Sequence, residues 1–251
     1  MIPYRDENPT ELTPIATLGI IAVNVLVWVV VQGAGASEPL ARSVCQLGLI
    51  PADVLGTAPA GTTVPLGPGL RCVLTGQPNW WTVLTSMFMH GGWLHIIGNM
   101  WFLWVFGNNI EDSMGHRRFI AFYLLCGVAA AATQLLVDPR SAVPMVGASG
   151  AISGVMGAYV LLYPRVKVHT LVTLGFFVTS VALPAYVMLG YWFVLQLVMG
   201  MVGALAHMQG GTAFWAHVGG FVTGIVLIKL FANGEYLERR RAGTFTLPRD
   251  A

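Results

Sequence analysis

Charge is what this sequence has least of. Of its 251 residues only 10% are Asp, Glu, Lys or Arg, against about 25% in soluble domains. Hydrophobic residues make up 55% and the mean hydropathy is +0.69. A water-bathed globule is thereby excluded as the main form, and most of the chain reads as lipid-embedded. The net charge of +2 is too small to argue for a nucleic-acid partner, and no Lys/Arg run interleaves with aromatics. The one basic run, Arg239-Arg240-Arg241, follows an apolar stretch and reads as a membrane anchor. Cysteine is scarce too. Cys45, Cys72 and Cys126 form no C-x-x-C pair, so no structural zinc and no cofactor are expected. The opening MIPYRDENPTELTP lacks the basic segment and apolar core of a cleavable signal and is not Arg/Ser-rich. A multi-pass protein of a prokaryotic plasma membrane is the expectation.

What is abundant is apolar sequence of spanning length. Crossing hydrocarbon takes about 20 mainly apolar residues, and six stretches approach that: Ile15–Val31, Leu94–Ile110, Phe119–Val137, a short one from Ser149 to Tyr163, Pro184–Leu205 and Phe214–Phe231. The expected fold class is an all-α membrane protein of six transmembrane helices. Thr170–Val181 is apolar but too short for a seventh span, and reads as a cytoplasmic lead-in to the fifth, with a re-entrant or surface-lying piece as the alternative. Basic residues favour cytoplasmic loops. With the N-terminus inside, ten of the thirteen Lys and Arg fall inside, leaving Arg42, Arg71 and Arg140 outside. Both termini are therefore expected in the cytoplasm. The expected organisation is a cytoplasmic segment 1–14, one six-span domain 15–233, and a basic cytoplasmic tail 234–251. The loop 32–93 lies outside. It is rich in Gly and Pro, yet carries Trp80, Trp81 and Phe88, as a functional or packed loop does. Cys45 and Cys72 share this loop on the oxidising side, where either a disulfide or two buried thiols can form. Cys126 reads as packing.

Polar residues inside spans are costly and call for a reason. Gly147-Ala148-Ser149-Gly150 opens the fourth span. A serine flanked by glycines at a helix start is accessible, and the free amides there can donate to an oxyanion. The same text also suits an ordinary N-cap serine. His217 lies early in the sixth span, where a neutral imidazole can take a proton from a serine and return it to a leaving amine. Its bland alternative is a buried histidine satisfied by a carbonyl. Gly150, Gly154 and Gly157 on the fourth span, and Gly220 and Gly224 on the sixth, have the spacing that lets two membrane helices approach closely. The two spans bearing Ser149 and His217 are thus the two best equipped to touch. In HGGWLHIIGNM, 90–100, His95 and Asn99 share one helix face. Both can donate to an oxyanion, and Asn99 can instead serve as an interhelical bond. A metal site at His90 and His95 is disfavoured, because their spacing crosses a Gly-Gly turn and no carboxylate is near. Glu111-Asp112 with Arg117-Arg118 reads as a structural anchor.

On these residues the chain resembles the rhomboid intramembrane proteases. The resemblance covers about Trp80 to Phe231 and rests on HGGWLHIIGNM, Glu111, GASGAISGVMGAY at 147–159 and AHVGGFVTG at 216–224. It implies a six-helix rhomboid-like bundle with a wet site opening to the outside, Ser149 as nucleophile and His217 as base. It also implies an oxyanion site of His95, Asn99 and the Ser149 amide, and a dyad without an orienting carboxylate. Its substrates would be single-span membrane proteins, preferably with easily unwound helices, and the fifth span would form a lateral gate. Two departures stand out. Ser153 occupies the position where some relatives stack an aromatic on the histidine, and Thr82 follows Trp81 where some carry arginine. What supports the His217 ring, and what holds the first loop, is left open. A non-catalytic escort of membrane clients is the second reading, although such relatives generally lack the serine or the histidine. A transporter would show paired carboxylates within spans or inverted repeats, and neither is present.

Overall fold

The computed structural model describes residues 1–67, 69–174, 177–206 and 213–241. Pro68 and the tail from residue 242, including Arg249, lie outside them. The chain runs β1 (Ile2–Asp6), α1 (Ile15–Val30), α2 (Ser37–Leu47), α3 (Pro51–Val54), β2 (Thr63–Gly67), β3 (Leu70–Val73), α4 (Thr82–Thr85), α5 (Trp93–Met114), α6 (His116–Val137) and α7 (Ser149–Leu162). It continues through β4 (Lys167–Leu174), β5 (Phe177–Pro184), α8 (Ala185–Leu205), α9 (Phe214–Phe231) and α10 (Gly234–Arg241). Among the described residues, α6, α8 and α9 are long and apolar enough to cross a membrane. Helices α1 and α7 are apolar but shorter, at 16 and 14 residues. Helix α5 has 22 residues, with Glu111 and Asp112 near its end.

The core lies where α7 meets its neighbours. Gly154 and Gly224 face each other so closely that a Cβ at Gly224 would fall on the Gly154 carbonyl, and one at Gly220 on the Gly150 carbonyl. A Cβ at Gly157 would fall on the backbone of Phe221, and one at Gly150 on Ala130 of α6. The small-residue spacing thus brings α7 and α9 into backbone contact, where dispersion and close packing supply the attraction that apolar lipid does not.

The all-helical expectation needs correcting at the end of the bundle away from Ser149. Residues 170–174 and 177–181, read as part of a lead-in, belong instead to the strands β4 and β5, and β1 pairs antiparallel with β4 to give the sheet order β1-β4-β5. The run is rich in β-branched residues (Val168, Thr170, Val172, Thr173, Val178, Thr179, Val181), which suit a pleated surface. A short apolar run does not by periodicity alone tell a strand from a helix. Asp6 fastens β1 to the bundle by accepting from Tyr159 Oη at 2.6 Å and Asn109 Nδ2 at 2.8 Å.

Carboxylates also close the start of α1. No side chain of its own caps this helix. Glu111, fully buried at the end of α5, accepts instead from the amides of Ala16 (2.9 Å) and Thr17 (2.7 Å) and from the Thr17 hydroxyl (2.6 Å). Asp112 accepts from the amides of Glu11 and Leu12. The Ala16 and Thr17 amides are ones that a helix start leaves orphaned, and a negative charge suits the positive end of the helix dipole.

The long loop is a folded unit. Cys45 and Cys72 are joined by a disulfide, with Cα atoms 5.4 Å apart. They sit beside the small cluster of Ile50, Val64 and Leu74. Leu49 and Met145 exchange backbone hydrogen bonds of 2.9 and 2.7 Å, and the Ser141 carbonyl accepts from the Ala52 amide. The loop is thereby attached to the segment that leads into Ser149.

Candidate active site

Three helices bring their N-terminal ends to one end of the bundle: α5 with His95 and Asn99, α7 with Ser149, and α9 with His217. Ser149 and His217, 68 residues apart, meet with Oγ and Nε2 at 2.8 Å. Ser149 is half-buried and His217 is 8% exposed. They line a cleft of about 200 Å³ together with His95, Asn99, Met156 and Trp192. The remaining lining is largely apolar.

Backbone geometry sets the approach to the serine. Gly147 has φ +129°, a region that L side chains rarely adopt, and its amide donates to the Ser86 carbonyl at 2.9 Å. A Cβ there would stand 2.7 Å from His95 Nε2 and 3.5 Å from Asn99 Nδ2. The donors on α5 therefore converge on the strip of backbone that delivers Ser149. Asn99 Nδ2 is buried and has no partner. The Gly91 amide donates to His95 Nδ1 at 3.2 Å, so a neutral His95 carries its proton on Nε2, toward Gly147. Together with the free amides of the first turn of α7, this makes a set of donors aimed at one spot.

Behind His95 stands His90, whose ring meets it edge-on with centroids 5.2 Å apart. Its backbone amide and carbonyl are both bonded to the Gln32 side chain at 2.8 Å. Both ring nitrogens are buried without a partner. Burial first, and then the charge that His95 can carry, push the His90 imidazole down to about 3, which keeps it neutral.

One contributor escaped the sequence reading. Gln196 of α8, 8% exposed, lies with Oε1 2.8 Å from His217 Nδ1, and its Nε2 donates to the Trp192 carbonyl at 3.3 Å. The Trp192 ring lies over His217 with centroids 5.7 Å apart and planes tilted by 36°. The support that Ser153 does not supply thus comes from α8; Ser153 instead donates to the Ser149 carbonyl at 2.6 Å. The signal was present in the sequence, as a lone polar residue within an apolar span. Among the described residues no group of three or more His, Cys, Asp or Glu is arranged to hold a metal ion.

The arrangement is a polytopic, largely helical membrane protein with a hydrogen-bonded serine–histidine pair below one rim of its bundle. The chain belongs to the rhomboid family: residues 77–234, well over half of its length, match the Rhomboid domain. It is 32% identical over 164 residues to Rhomboid-like protein 11, chloroplastic, of Arabidopsis thaliana, covering 62% of this chain and 54% of that protein. To Rhomboid protease GluP of Bacillus subtilis it is 31% identical over 134 residues, 53% of this chain and 25% of that protein. To Rhomboid protein 1, mitochondrial, of Saccharomyces cerevisiae it is 29% identical over 149 residues, 58% and 40% of the two chains. The chain thus spans from a quarter to about half the length of these relatives. Relatives named for organelles stand beside a bacterial one, so membership gives a membrane location and not a particular membrane.

Proposed function

We propose that this protein is an intramembrane serine endopeptidase that cleaves single-span membrane proteins within or near their membrane segment. The observation that carries the reading is the 2.8 Å contact between Ser149 Oγ and His217 Nε2 beside the unpartnered Asn99 Nδ2. Ser149 Oγ attacks the scissile carbonyl carbon and its proton passes to His217 Nε2. The developing oxyanion accepts from His95 Nε2, Asn99 Nδ2 and the Ser149 amide. Collapse expels the amine, to which His217 returns the proton. Water, activated by the same imidazole, then hydrolyses the acyl-enzyme and restores Ser149. No metal or cofactor takes part.

Six spans with both termini inside belong to the same proposal, supported by the basic-residue asymmetry of ten against three. In that orientation the disulfide-bearing loop and the cleft face outward, and the sheet and α10 face the cytoplasm. Substrate helices with small or helix-breaking residues enter past α8. The test is cleavage of a tagged single-span substrate in proteoliposomes, with fluorophosphonate labelling in parallel. Cleavage and labelling should disappear in Ser149→Ala, and cleavage in His217→Ala. Undiminished cleavage by Ser149→Ala would end the proposal. A folded wild type that neither labels nor cleaves would favour an escort of membrane clients.

A further inference from the structure

We infer that Gln196 is a positioning residue that fixes the tautomer and ring plane of His217, doing with a neutral amide what a buried carboxylate does in three-residue serine hydrolase sites. The inference rests on the proteolytic reading above and extends it to a side chain outside the family motifs.

The hydrogen bonds determine its polarity. A side-chain amide presents one donor end and one acceptor end, and the two are told apart by their partners. Gln196 has a carbonyl, that of Trp192, at 3.3 Å on one side and His217 Nδ1 at 2.8 Å on the other. Only a donor can face the Trp192 carbonyl, so the amide oxygen faces the ring. An amide oxygen only accepts, so His217 carries its proton on Nδ1. In a neutral ring this leaves the Nε2 lone pair free, pointing at Ser149 Oγ 2.8 Å away. That is the tautomer a general base needs; the other would present an N–H to the serine and could take no proton.

The same turn of α8 supplies the second restraint. Trp192 and Gln196 are four residues apart and share a face. The Trp192 carbonyl orients the amide while its indole lies over the imidazole. Ring rotation about Cβ–Cγ would break the Gln196 bond.

An amide suits the setting better than a carboxylate. A carboxylate would stabilise the imidazolium, but an ionised group buried in an apolar span is costly unless paired. The described residues of α8 and α9 hold no Asp or Glu. The amide keeps the orienting function and gives up the electrostatic one.

The test uses the full chain in proteoliposomes with the same single-span substrate. Gln196→Leu removes the acceptor at similar volume and should lower kcat roughly 10- to 100-fold, with KM within about twofold, as losing a supporting hydrogen-bond partner does elsewhere. Gln196→Glu restores an oxygen acceptor and should recover most of that loss. In 15N-histidine spectra, with His217 assigned through His217→Gln, the wild type should show Nδ1 protonated, and Gln196→Leu should show a mixture of tautomers. A wild-type His217 protonated on Nε2 overturns the inference whether or not any variant folds. So does a Gln196→Leu protein with wild-type kcat, or an equal loss in Leu and Glu variants of wild-type melting temperature. Cleavage that survives Ser149→Ala would instead defeat the proteolytic reading, while the nitrogen spectra would still report on Gln196.

Discussion

Helices α7 and α8 both reach the cleft, but they are held in opposite ways. Ten of the 14 residues of α7 are buried, and glycines bring it against the backbone of α9. Only five of the 21 residues of α8 are buried, and two of these are Gln196 and Gly200. Its outer face, with Tyr186, Tyr191, Val194 and Val198, is exposed to what is lipid in the membrane. The serine and the histidine therefore ride on a seam with no slack, while the groups that orient the histidine ride on a helix with few neighbours. In the proposed reaction this divides the labour. The reacting atoms keep their geometry while a substrate helix displaces or slips past α8, and return of α8 restores the imidazole's orientation. Gating motions of this kind occur on microsecond to millisecond timescales.

Substitutions at the seam and on α8 test this difference. The largest effect is expected at the seam. Gly224→Leu drives a side chain into the Gly154 carbonyl and should cost about 3–5 kcal/mol, read as loss of the folded protein in a detergent melt. Gly203→Leu on α8 meets open space and should shift stability by less than about 1 kcal/mol. Equal losses at the two sites would remove the distinction. Next comes Gly147→Ala. Its methyl would crowd His95 Nε2 at a positive φ, so kcat should fall on the order of 10²–10³-fold while the bundle stays folded. A variant with wild-type kcat would show that the converging donors are not used.

At the far end, Glu111→Gln weakens the cap on α1 and should cost about 1–3 kcal/mol in the melt, with kcat per folded molecule unchanged. A large change in kcat there would mean that the two ends of the bundle are coupled. A further effect is expected from pH. His90 is held neutral down to about 3 in the folded chain, against 6.5 when unfolded. Below 6.5 the unfolded chain therefore binds the extra proton. The contribution of His90 should be flat above that pH and make stability decline as pH falls from 6.5 toward 3. His90→Phe should flatten this decline in melting temperature between pH 7 and pH 4; an unchanged slope would assign it to other groups.

Much of the site was legible in the sequence, because a polar group within an apolar run stands out. Ser149 begins α7, His217 lies in the first turn of a helix whose bounds, Phe214–Phe231, match the apolar run, and the glycine spacings mark the seam. Two features were not. The β4–β5 hairpin was hidden because its register with β1 depends on residues 160 and more positions away, which no local pattern encodes. Gln196 was visible as a letter but not as a contact. Its role depends on the rotation of α8 about its axis, and a helix apolar nearly all round gives no moment from which to read that rotation.

The Leu49–Met145 backbone pair has a consequence for biosynthesis. The strip that delivers Ser149 is fastened to a loop made about a hundred residues earlier, and its His217 partner arrives only with the last long helix. A nascent chain at the ribosome therefore carries the Ser149 hydroxyl before the loop contact and the His217 contact that hold it in the folded chain are both made. In the proposed reaction, cleavage therefore cannot begin until the last long helix has joined the bundle, whatever order the substrates arrive in.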